Sequence, residues 1–231
     1  MAETRETHSR RAFSVFAALA ALVMAVFLLD TVGYVFLGLG IPVWLVLLII
    51  PGSLIGSFVN IHVATIESDA SDCTDKYVTA WGVPYKVHAP DCPGKTELSI
   101  NLGGAIIPCF VSAYLLAQSW DLIVPTGIAI LIVMLFVNRI ARIEPQVGIV
   151  TPGLLPPLAA GLTALSLTTL FTGIANPYVI AYVSGTIGTL LGADILNLGK
   201  LGKLRSGKAS IGGAGTWDGV FLTGVLAVLF A

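Results

Sequence analysis

Residues 182–219 read YVSGTIGTLLGADILNLGKLGKLRSGKASIGGAGTWDG, and this stretch decides how the rest of the chain is interpreted. Two aspartates, Asp194 and Asp218, stand in apolar, glycine-rich segments on either side of a short basic loop. An ionised carboxylate is costly inside a bilayer, so an acid in an apolar helix usually serves a function. The stretch therefore predicts two neighbouring membrane helices that share an acidic site.

The composition of the whole chain favours a membrane protein. Of 231 residues, 56% are hydrophobic and 11% are charged, whereas soluble domains average about 25% charged residues. Apolar runs long enough to cross about 30 Å of hydrocarbon recur along the sequence. We therefore expect an all-α, polytopic transmembrane helix bundle in contact with the lipid bilayer. Nucleic acid is not expected as a partner, because no basic cluster is interleaved with aromatic residues.

The apolar runs divide the chain into about seven spans. Their approximate bounds are 13–36, 41–59, 101–118, 122–138, 153–173, 177–198 and 211–231. The Arg10-Arg11 pair resembles a twin-arginine export signal, but the long apolar run after it favours a retained first helix. Residues 60–100 predict a small polar lobe with a short β-hairpin around residues 76–87. The chain 1–231 is thus interpreted as a single integral membrane domain.

The positions of the basic residues orient these spans. The connections on the N-terminal side hold 3, 3, 2 and 4 Lys or Arg residues, which together are all 12 in the chain. Cytoplasmic connections of membrane proteins are enriched in Lys and Arg. We therefore expect a multi-pass protein of the cell membrane with a cytoplasmic N-terminus and an extracytoplasmic C-terminus. The lobe is then cytoplasmic, and its Cys73 and Cys92 are expected to be reduced thiols.

No metal and no cofactor are predicted for this chain. Zinc-capable side chains occur in the lobe at His62, Cys73, His88 and Cys92. Their spacing contains neither a Cys-x-x-Cys nor a paired-His motif, which zinc sites usually show. These residues are therefore interpreted as ordinary polar surface.

Small and polar residues in two spans predict close contact with other helices. Ser184, Gly188 and Gly192 recur every four residues in the sixth span, a spacing that lets two helix backbones approach closely in lipid. The second span carries a polar stripe formed by Ser53, Ser57 and Asn60. We expect this stripe to face protein rather than lipid.

Asp194 and Asp218 are the candidate catalytic residues. Counted from the basic loop at 1.5 Å per residue, both carboxylates lie roughly 9–10 Å inside the cytoplasmic boundary, on helices that should be neighbours. Two carboxylates held together share one proton, which leaves one base and one acid. Such a pair can activate water against a peptide carbonyl. An aspartyl-protease-like site acting on membrane substrates is therefore the leading hypothesis.

Two alternatives to proteolysis stay open. The same carboxylates could bind and release a proton or cation, as in a coupled transporter or a lipid-handling protein. They could also hydrogen-bond to backbone N–H groups near the glycines, in a non-catalytic scaffold. The expected partners are accordingly the bilayer together with a transmembrane peptide, a small molecule or an ion, and a homo-oligomer is left open.

The glycine run before Asp218 is a candidate binding site for anions. Gly212, Gly213 and Gly215 could form a nest of backbone N–H groups beside Lys208, which suits the phosphate of a lipid headgroup. If this run is unwound, the seventh helix is short and Asp218 lies near its N-terminus, where the helix dipole stabilises an anion. Whether the run is helix or nest thus decides which chemistry is available.

Three segments carry a resemblance to a known family. They are PGSLIGSFVNI (51–61), SGTIGTLLGADILNLGKL (184–201) and ASIGGAGTWDGVFLTG (209–224). Together they resemble a prokaryotic family of polytopic membrane proteins of unknown function, which implies a membrane bundle and no particular activity. A second resemblance is to the Gly-x-Gly-Asp intramembrane aspartyl proteases, which carry two catalytic aspartates on different helices. It implies catalytic roles for Asp194 and Asp218, although this chain has Gly192-Ala193-Asp194 without the second glycine.

Overall fold

The computed structural model describes residues 22–23, 26–67, 76–80, 83–87, 95–144, 148–171, 173, 176–204, 207–213 and 219–231. Within these residues the chain is mostly helical, and it also contains short strands. The backbone contacts divide it into two units, Met1–Val46 and Leu47–Ala231. Every residue of the candidate site described below belongs to the second unit.

The first unit contains helix α1, Val26–Gly38, which ends in a glycine turn. Gly40 adopts a φ of +80°, and its N–H donates to the carbonyl of Leu37, while the N–H of Ile41 donates to the carbonyl of Phe36. These two bonds satisfy carbonyls that a helix end otherwise leaves unpaired. The next helix, α2, is Val43–Gly56, and its residues from Leu47 belong to the second unit.

The second unit alternates strands with helices. Its strands are β1 (Asn60–Glu67), β2 (Lys76–Ala80), β3 (Val83–Val87), β4 (Lys95–Asn101), β5 (Arg142–Glu144), β6 (Gly148–Val150) and β7 (Lys208–Ile211). Its helices after α2 are α3 (Leu102–Gln118), α4 (Trp120–Ile140), α5 (Leu155–Leu170), α6 (Tyr178–Leu201) and α7 (Gly219–Leu229).

The three-stranded sheet, in the order β1-β4-β7, joins distant parts of the sequence. Strand β4 pairs with β1 in the antiparallel sense and with β7 in the parallel sense. A bulge between His62 and Ala64 interrupts the first pairing. Strands β2 and β3 form an antiparallel hairpin, which confirms the hairpin predicted around residues 76–87. Cys73, His88 and Cys92 lie outside the described residues.

Helix α6 lies at the centre of the helical part and contacts α3, α4, α5 and α7. Small residues make these contacts close. A Cβ atom added to Gly188 would lie 2.9 Å from the Cβ of Val133 on α4, and one added to Gly192 would lie 2.5 Å from the carbonyl oxygen of Met134. Ser184, on the same stripe, is fully buried. Only residues without bulk fit at this helix crossing.

Two helices, α4 and α6, are long and apolar enough to cross a membrane by length and composition. The other described helices are shorter, with 10–17 residues each.

The strands are a correction to the expected all-α chain. The predicted seventh span, 211–231, overlaps strand β7 at Ile211, and its described helix begins only at Gly219. Gly212 and Gly213 have φ angles of +79° and +93°, which no α-helix contains. The apolar segment Gly219–Leu229 does form a helix, but Gly212 and Gly213 form a turn directly after strand β7.

Candidate functional site

Helix α6 departs from α-helical geometry toward its C-terminal end. Two π-helical turns, Ser184–Gly188 and Leu190–Asp194, are followed by a 3-10 segment, Ile195–Leu204. Such turns are rare inside helices and are frequent at functional sites. The segment that ends at Asp194 therefore departs from regular α-helical geometry.

Amide side chains stabilise the widened turn. The carbonyl oxygen of Gly192 accepts hydrogen bonds from the Nδ2 atoms of Asn138 on α4, at 3.1 Å, and Asn197, at 3.2 Å. Asn197 also donates to the carbonyl of Ala193 at 2.9 Å, and its Oδ1 accepts from the Nζ of Lys200 at 2.8 Å. The carbonyls that the π turn exposes are therefore paired within the protein, as buried carbonyls must be.

Asp194 is fixed by the turn that follows strand β7. Its Oδ2 atom accepts a hydrogen bond from the backbone N–H of Gly212 at 2.8 Å. The N–H of Gly213 donates to the carbonyl of Ser210 at 3.3 Å. Gly212 and Gly213 thus form a turn rather than a helix, and the anion bound by Gly212 is the carboxylate of Asp194 itself.

The predicted catalytic pair is described only in part. Asp218 and Gly215 lie outside the described residues, so the proton-sharing pair stays a prediction. Asp194 is partly buried, and Lys208, the basic residue assigned to the anion site, is exposed at the start of β7.

A cavity of about 200 Å³ lies between the end of α6, the hairpin β5–β6, strand β7 and the start of α7. Its polar lining comes from Thr151, Thr189, Asp194, Lys208 and Ser210, together with the backbone of three glycines. Its apolar lining comes from Ile149, Ala193, Leu198, Leu201, Ala209, Ile211 and Val220. The cavity therefore brings Asp194 and Lys208 together in one space, with apolar walls around them.

Thr189 is the unusual member of this lining. It is 3% exposed, and its hydroxyl has no hydrogen-bond partner within the part of the chain that the structure describes. Helical Ser and Thr residues commonly donate to the carbonyl four residues earlier, as Ser112 and Ser166 do here. An unpaired buried hydroxyl costs about 1–3 kcal/mol. Thr189 is therefore the one lining residue described here whose buried hydroxyl has no partner among the described residues.

A buried asparagine joins strand β4 to helix α3 and to the segment before β1. Asn101, at the end of β4, is fully buried, and its Oδ1 accepts from the N–H of Gly104 at 2.7 Å, which caps α3. Its Nδ2 donates to the carbonyl of Ser57 at 2.7 Å and to the Oδ1 of Asn60 at 3.1 Å. The hydroxyl of Ser210 donates to the same Asn60 oxygen at 2.7 Å.

These bonds connect segments far apart in the sequence. Ser53 and Ser57, both buried, lie against the start of α3, where the Ser53 hydroxyl donates to the carbonyl of Gly103 at 2.8 Å. The expectation that the polar stripe faces protein is therefore confirmed for Ser53 and Ser57, whereas Asn60, at the start of β1, is exposed. Asn101 escaped the sequence reasoning, although an asparagine directly before a helix is a familiar capping signal.

Two glycines at the start of α3 allow three backbone segments to approach one another closely. A Cβ added to Gly103 would lie 2.0 Å from the carbonyl oxygen of Ser53, and one added to Gly104 would lie 1.9 Å from that of Gly212. Real Cβ atoms do not approach backbone atoms so closely. Helix α2, the start of α3 and the turn after β7 therefore touch backbone to backbone.

The cavity and the glycine contacts lie in the part of the chain that matches a known family. Residues 54–230 match the family described as "Protein of unknown function (DUF1614)". No curated protein matches the chain, and no solved structure matches it. The resemblance to the intramembrane aspartyl proteases gains no support from these comparisons. Because the matched residues make up most of the chain, this protein belongs to the DUF1614 family of proteins of unknown function.

Proposed function

We propose that this protein is a multi-pass membrane protein that binds a small polar solute in the cavity beside Asp194 and carries it through or along the membrane. The observation that carries the proposal is the cavity itself, whose lining combines Asp194 with Thr189, a residue whose buried hydroxyl has no hydrogen-bond partner among the described residues. Sites for small molecules combine apolar walls with a few convergent polar groups, and this cavity has both.

The surface of helix α4 supports a place in lipid. Val124, Leu131 and Leu135 are 65%, 52% and 57% exposed, and the 21 residues of α4 reach roughly 30 Å at 1.5 Å per residue. A contiguous apolar face of this size marks contact with lipid or with another protein. Its length matches the hydrocarbon thickness of a bilayer, which favours lipid.

The distorted geometry of α6 supports transport as the activity. In many transporters, the substrate site is formed where membrane helices depart from regular geometry, because the backbone there can face a polar cavity. The π turns of α6 end at Asp194, and Thr189 stands five residues before it. The distorted segment therefore supplies Thr189 and Asp194 to the cavity lining.

The size of the cavity favours a small solute over an extended peptide. An apolar cavity of about 150 Å³ accommodates benzene, so the cavity of about 200 Å³ found here accommodates a molecule of only slightly greater size. The protease hypothesis additionally requires Asp218 beside Asp194, and it stays a prediction with its own test.

The proposal is tested with the purified, full-length protein in proteoliposomes. We expect at least one amino acid, sugar, nucleoside or inorganic ion to raise the thermal stability of the protein and to show protein-dependent flux. The flux should be lost in Thr189→Val and Asp194→Asn. Asp121→Asn is the matched control, because Asp121 is exposed at the start of α4 and does not line the cavity. If none of these solutes stabilises the protein and none shows protein-dependent flux, the proposal is contradicted.

A further inference from the structure

We infer that the C-terminal ends of α4 and α6 form a binding site for anionic phospholipid at the cytoplasmic boundary of the membrane. Arg139, Arg142 and Lys200 supply the positive charges of this site, and together they are called the basic patch. This assignment rests on the membrane placement in the proposed function. It does not involve the cavity, because none of the three residues lines it.

Two arginines lie where α4 ends and the β5–β6 hairpin begins. Arg139 is in the last turn of α4, and Arg142 is the first residue of β5. Both side chains are exposed. Neither guanidinium forms a hydrogen bond or an ion pair within the part of the chain that the structure describes, and the half-buried Glu144 forms no ion pair there either. The two guanidinium groups therefore remain available to a ligand from outside the protein.

Packing of β5 against the end of α6 brings Lys200 to the same region. Strand β5 contacts the 3-10 segment that carries Lys200, and Ile143 packs against the core cluster that contains Leu201. Side chains alternate along a strand, so Arg142 points away from that cluster. Lys200 is exposed, and its Nζ atom uses one of its three donors on Asn197. Arg142 and Lys200 are therefore held in one part of the surface.

Exposed apolar side chains accompany these cations. On α4, Leu135 and Phe136 come one turn before Arg139 and are 57% and 37% exposed. Residues three or four apart on a helix lie on the same side, so Arg139 continues the apolar face of α4. On α6, Leu196 comes before Lys200 and is 48% exposed. The surface thus combines positive groups with an apolar strip, as a phospholipid combines a phosphate with acyl chains.

The opposite end of α4 favours a lipid over an acidic protein as the ligand. Trp120 begins this helix and is 73% exposed. At 1.5 Å per residue, Trp120 lies roughly 28 Å from Arg139 along the helix axis. Tryptophan is enriched at both membrane boundaries, and arginine at the cytoplasmic one. The distance matches the hydrocarbon thickness of a bilayer, which puts Arg139 at the depth of the lipid phosphates.

The charge of the basic patch selects an anionic headgroup. The patch has three positive charges, and Glu144 adds one negative charge nearby. The ammonium of phosphatidylcholine would meet like charges here, whereas phosphatidylglycerol carries only the negative phosphate. A guanidinium donates two parallel N–H bonds to a phosphate. Basic sites between membrane helices on the cytoplasmic side bind such headgroups. Phosphatidylglycerol is therefore the ligand that the patch fits.

The test is native mass spectrometry of the full-length protein in detergent micelles. The micelles contain equal amounts of phosphatidylglycerol and phosphatidylcholine with the same acyl chains. We expect at least tenfold more bound phosphatidylglycerol. A surface cation strengthens the binding of anionic lipid roughly fivefold, so Arg139→Gln, Arg142→Gln and Lys200→Gln should each lower this preference by about that factor.

Three controls assign the preference to this site. Lys95→Gln removes an exposed cation at the start of β4, outside the patch, and should leave the preference unchanged. Arg139→Lys keeps the charge and should retain more of the preference than Arg139→Gln. Glycerophosphoglycerol, which is the headgroup without acyl chains, and a hexaglutamate peptide should not displace the lipid at equal concentration, because neither contacts the apolar strip.

The outcomes separate this inference from the proposed function. Equal amounts of the two bound lipids would overturn it, as would equal losses in Lys95→Gln and Arg139→Gln or in Arg139→Lys and Arg139→Gln. Displacement by the soluble headgroup or by the peptide would overturn it in favour of a soluble anion or an acidic protein. Solute flux without a lipid preference contradicts only the lipid site. A lipid preference without flux contradicts only the transport of a solute.

Discussion

The Oδ2 atom of Asp194 accepts a hydrogen bond from the backbone N–H of Gly212, across a gap of 18 residues in the sequence, at 2.8 Å. One carboxylate thus fixes the turn that follows the last strand and lines the cavity at the same time. Substitution can separate the structural role of Asp194 from the ligand-binding role that we propose for it. The amide oxygen of an asparagine can still accept the bond from Gly212, but an asparagine carries no negative charge.

Asp194→Asn is expected to keep the fold and to lose solute flux. The asparagine oxygen can still accept from Gly212, so the free energy of unfolding should change by less than about 1 kcal/mol. Asp194→Ala removes the acceptor and should cost about 1.5–3 kcal/mol, toward the lower value because the residue is only partly buried. Thermal unfolding in detergent micelles measures the change in stability of both variants. An equal loss of stability in the two variants would contradict the assigned hydrogen bond.

Gly103→Ala is expected to disrupt the contact between α2 and α3. The new Cβ would lie 2.0 Å from the carbonyl oxygen of Ser53 and 2.4 Å from the backbone nitrogen of Ser57, and neither can move without its helix. We expect a loss of about 3 kcal/mol or more, or no folded protein, since overpacking usually costs about 1–3 kcal/mol.

Gly127→Ala is the matched control for that substitution. Gly127 lies inside helix α4 with open space around its missing Cβ. Alanine should raise the stability by up to about 1 kcal/mol, because it favours the helix. A variant of Gly103 as stable as that of Gly127 would show that the backbones of α2 and α3 are farther apart than described.

Asn101→Ala is expected to destabilise the junction of β4 and α3. It removes a helix cap worth about 1 kcal/mol and leaves the buried carbonyl of Ser57 without one of its donors, at about 1–3 kcal/mol. We expect a total loss of about 2–4 kcal/mol in thermal unfolding. Asn60→Ala, at an exposed member of the same network, should cost less than half as much. A larger loss of stability in Asn60→Ala than in Asn101→Ala would contradict the central role of Asn101.

The protease hypothesis has a direct test in the two aspartates. If Asp194 and Asp218 share a proton in catalysis, Asp194→Asn and Asp218→Asn should each abolish cleavage of a co-reconstituted transmembrane substrate. Gel analysis of the cleaved substrate measures this. Cleavage that survives either substitution rules out the pair, and Asp121→Asn should retain any cleavage that the unaltered protein shows.

The predicted orientation is tested with single cysteines. After replacement of Cys73, Cys92 and Cys109, a cysteine at Lys95 should react with an impermeant maleimide only from the cytoplasmic side. A cysteine at Asp121 should react only from the opposite side, because the charge distribution places the two positions on different faces. Labelling of both positions from one side would show that the number of spans between them is not odd.

The sequence predicted the parts of the fold that follow a local period or a compositional pattern. The apolar runs predicted helices where α3 to α6 lie, and the residues around 76–87 predicted the hairpin. The stripe of Ser53 and Ser57 was assigned to a protein-facing surface because polar side chains are costly in lipid. Each of these predictions depends only on residues that are close together in the sequence.

The cavity could not be predicted, because it depends on pairings between distant residues. The parallel pairing of β4 with β7 has no local signal, since its register is set by contacts more than 100 residues apart. The π turn at Gly192 likewise accepts a hydrogen bond from Asn138, 54 residues earlier on another helix. In the sequence Thr189 resembles any helical threonine, because the other residues of the cavity lining come from distant segments.

The parallel pairing of β4 and β7 also sets the order in which the protein can be completed during synthesis. The ribosome makes α3, α4, α5 and α6 before the partner strand of Glu97–Ile100 exists. Contacts this distant in sequence form late, because a long loop must close first. The nascent chain therefore holds an open edge on β4 until Lys208–Ile211 emerges. Chains that terminate before β7 should be targets for quality control even when all earlier helices are in place.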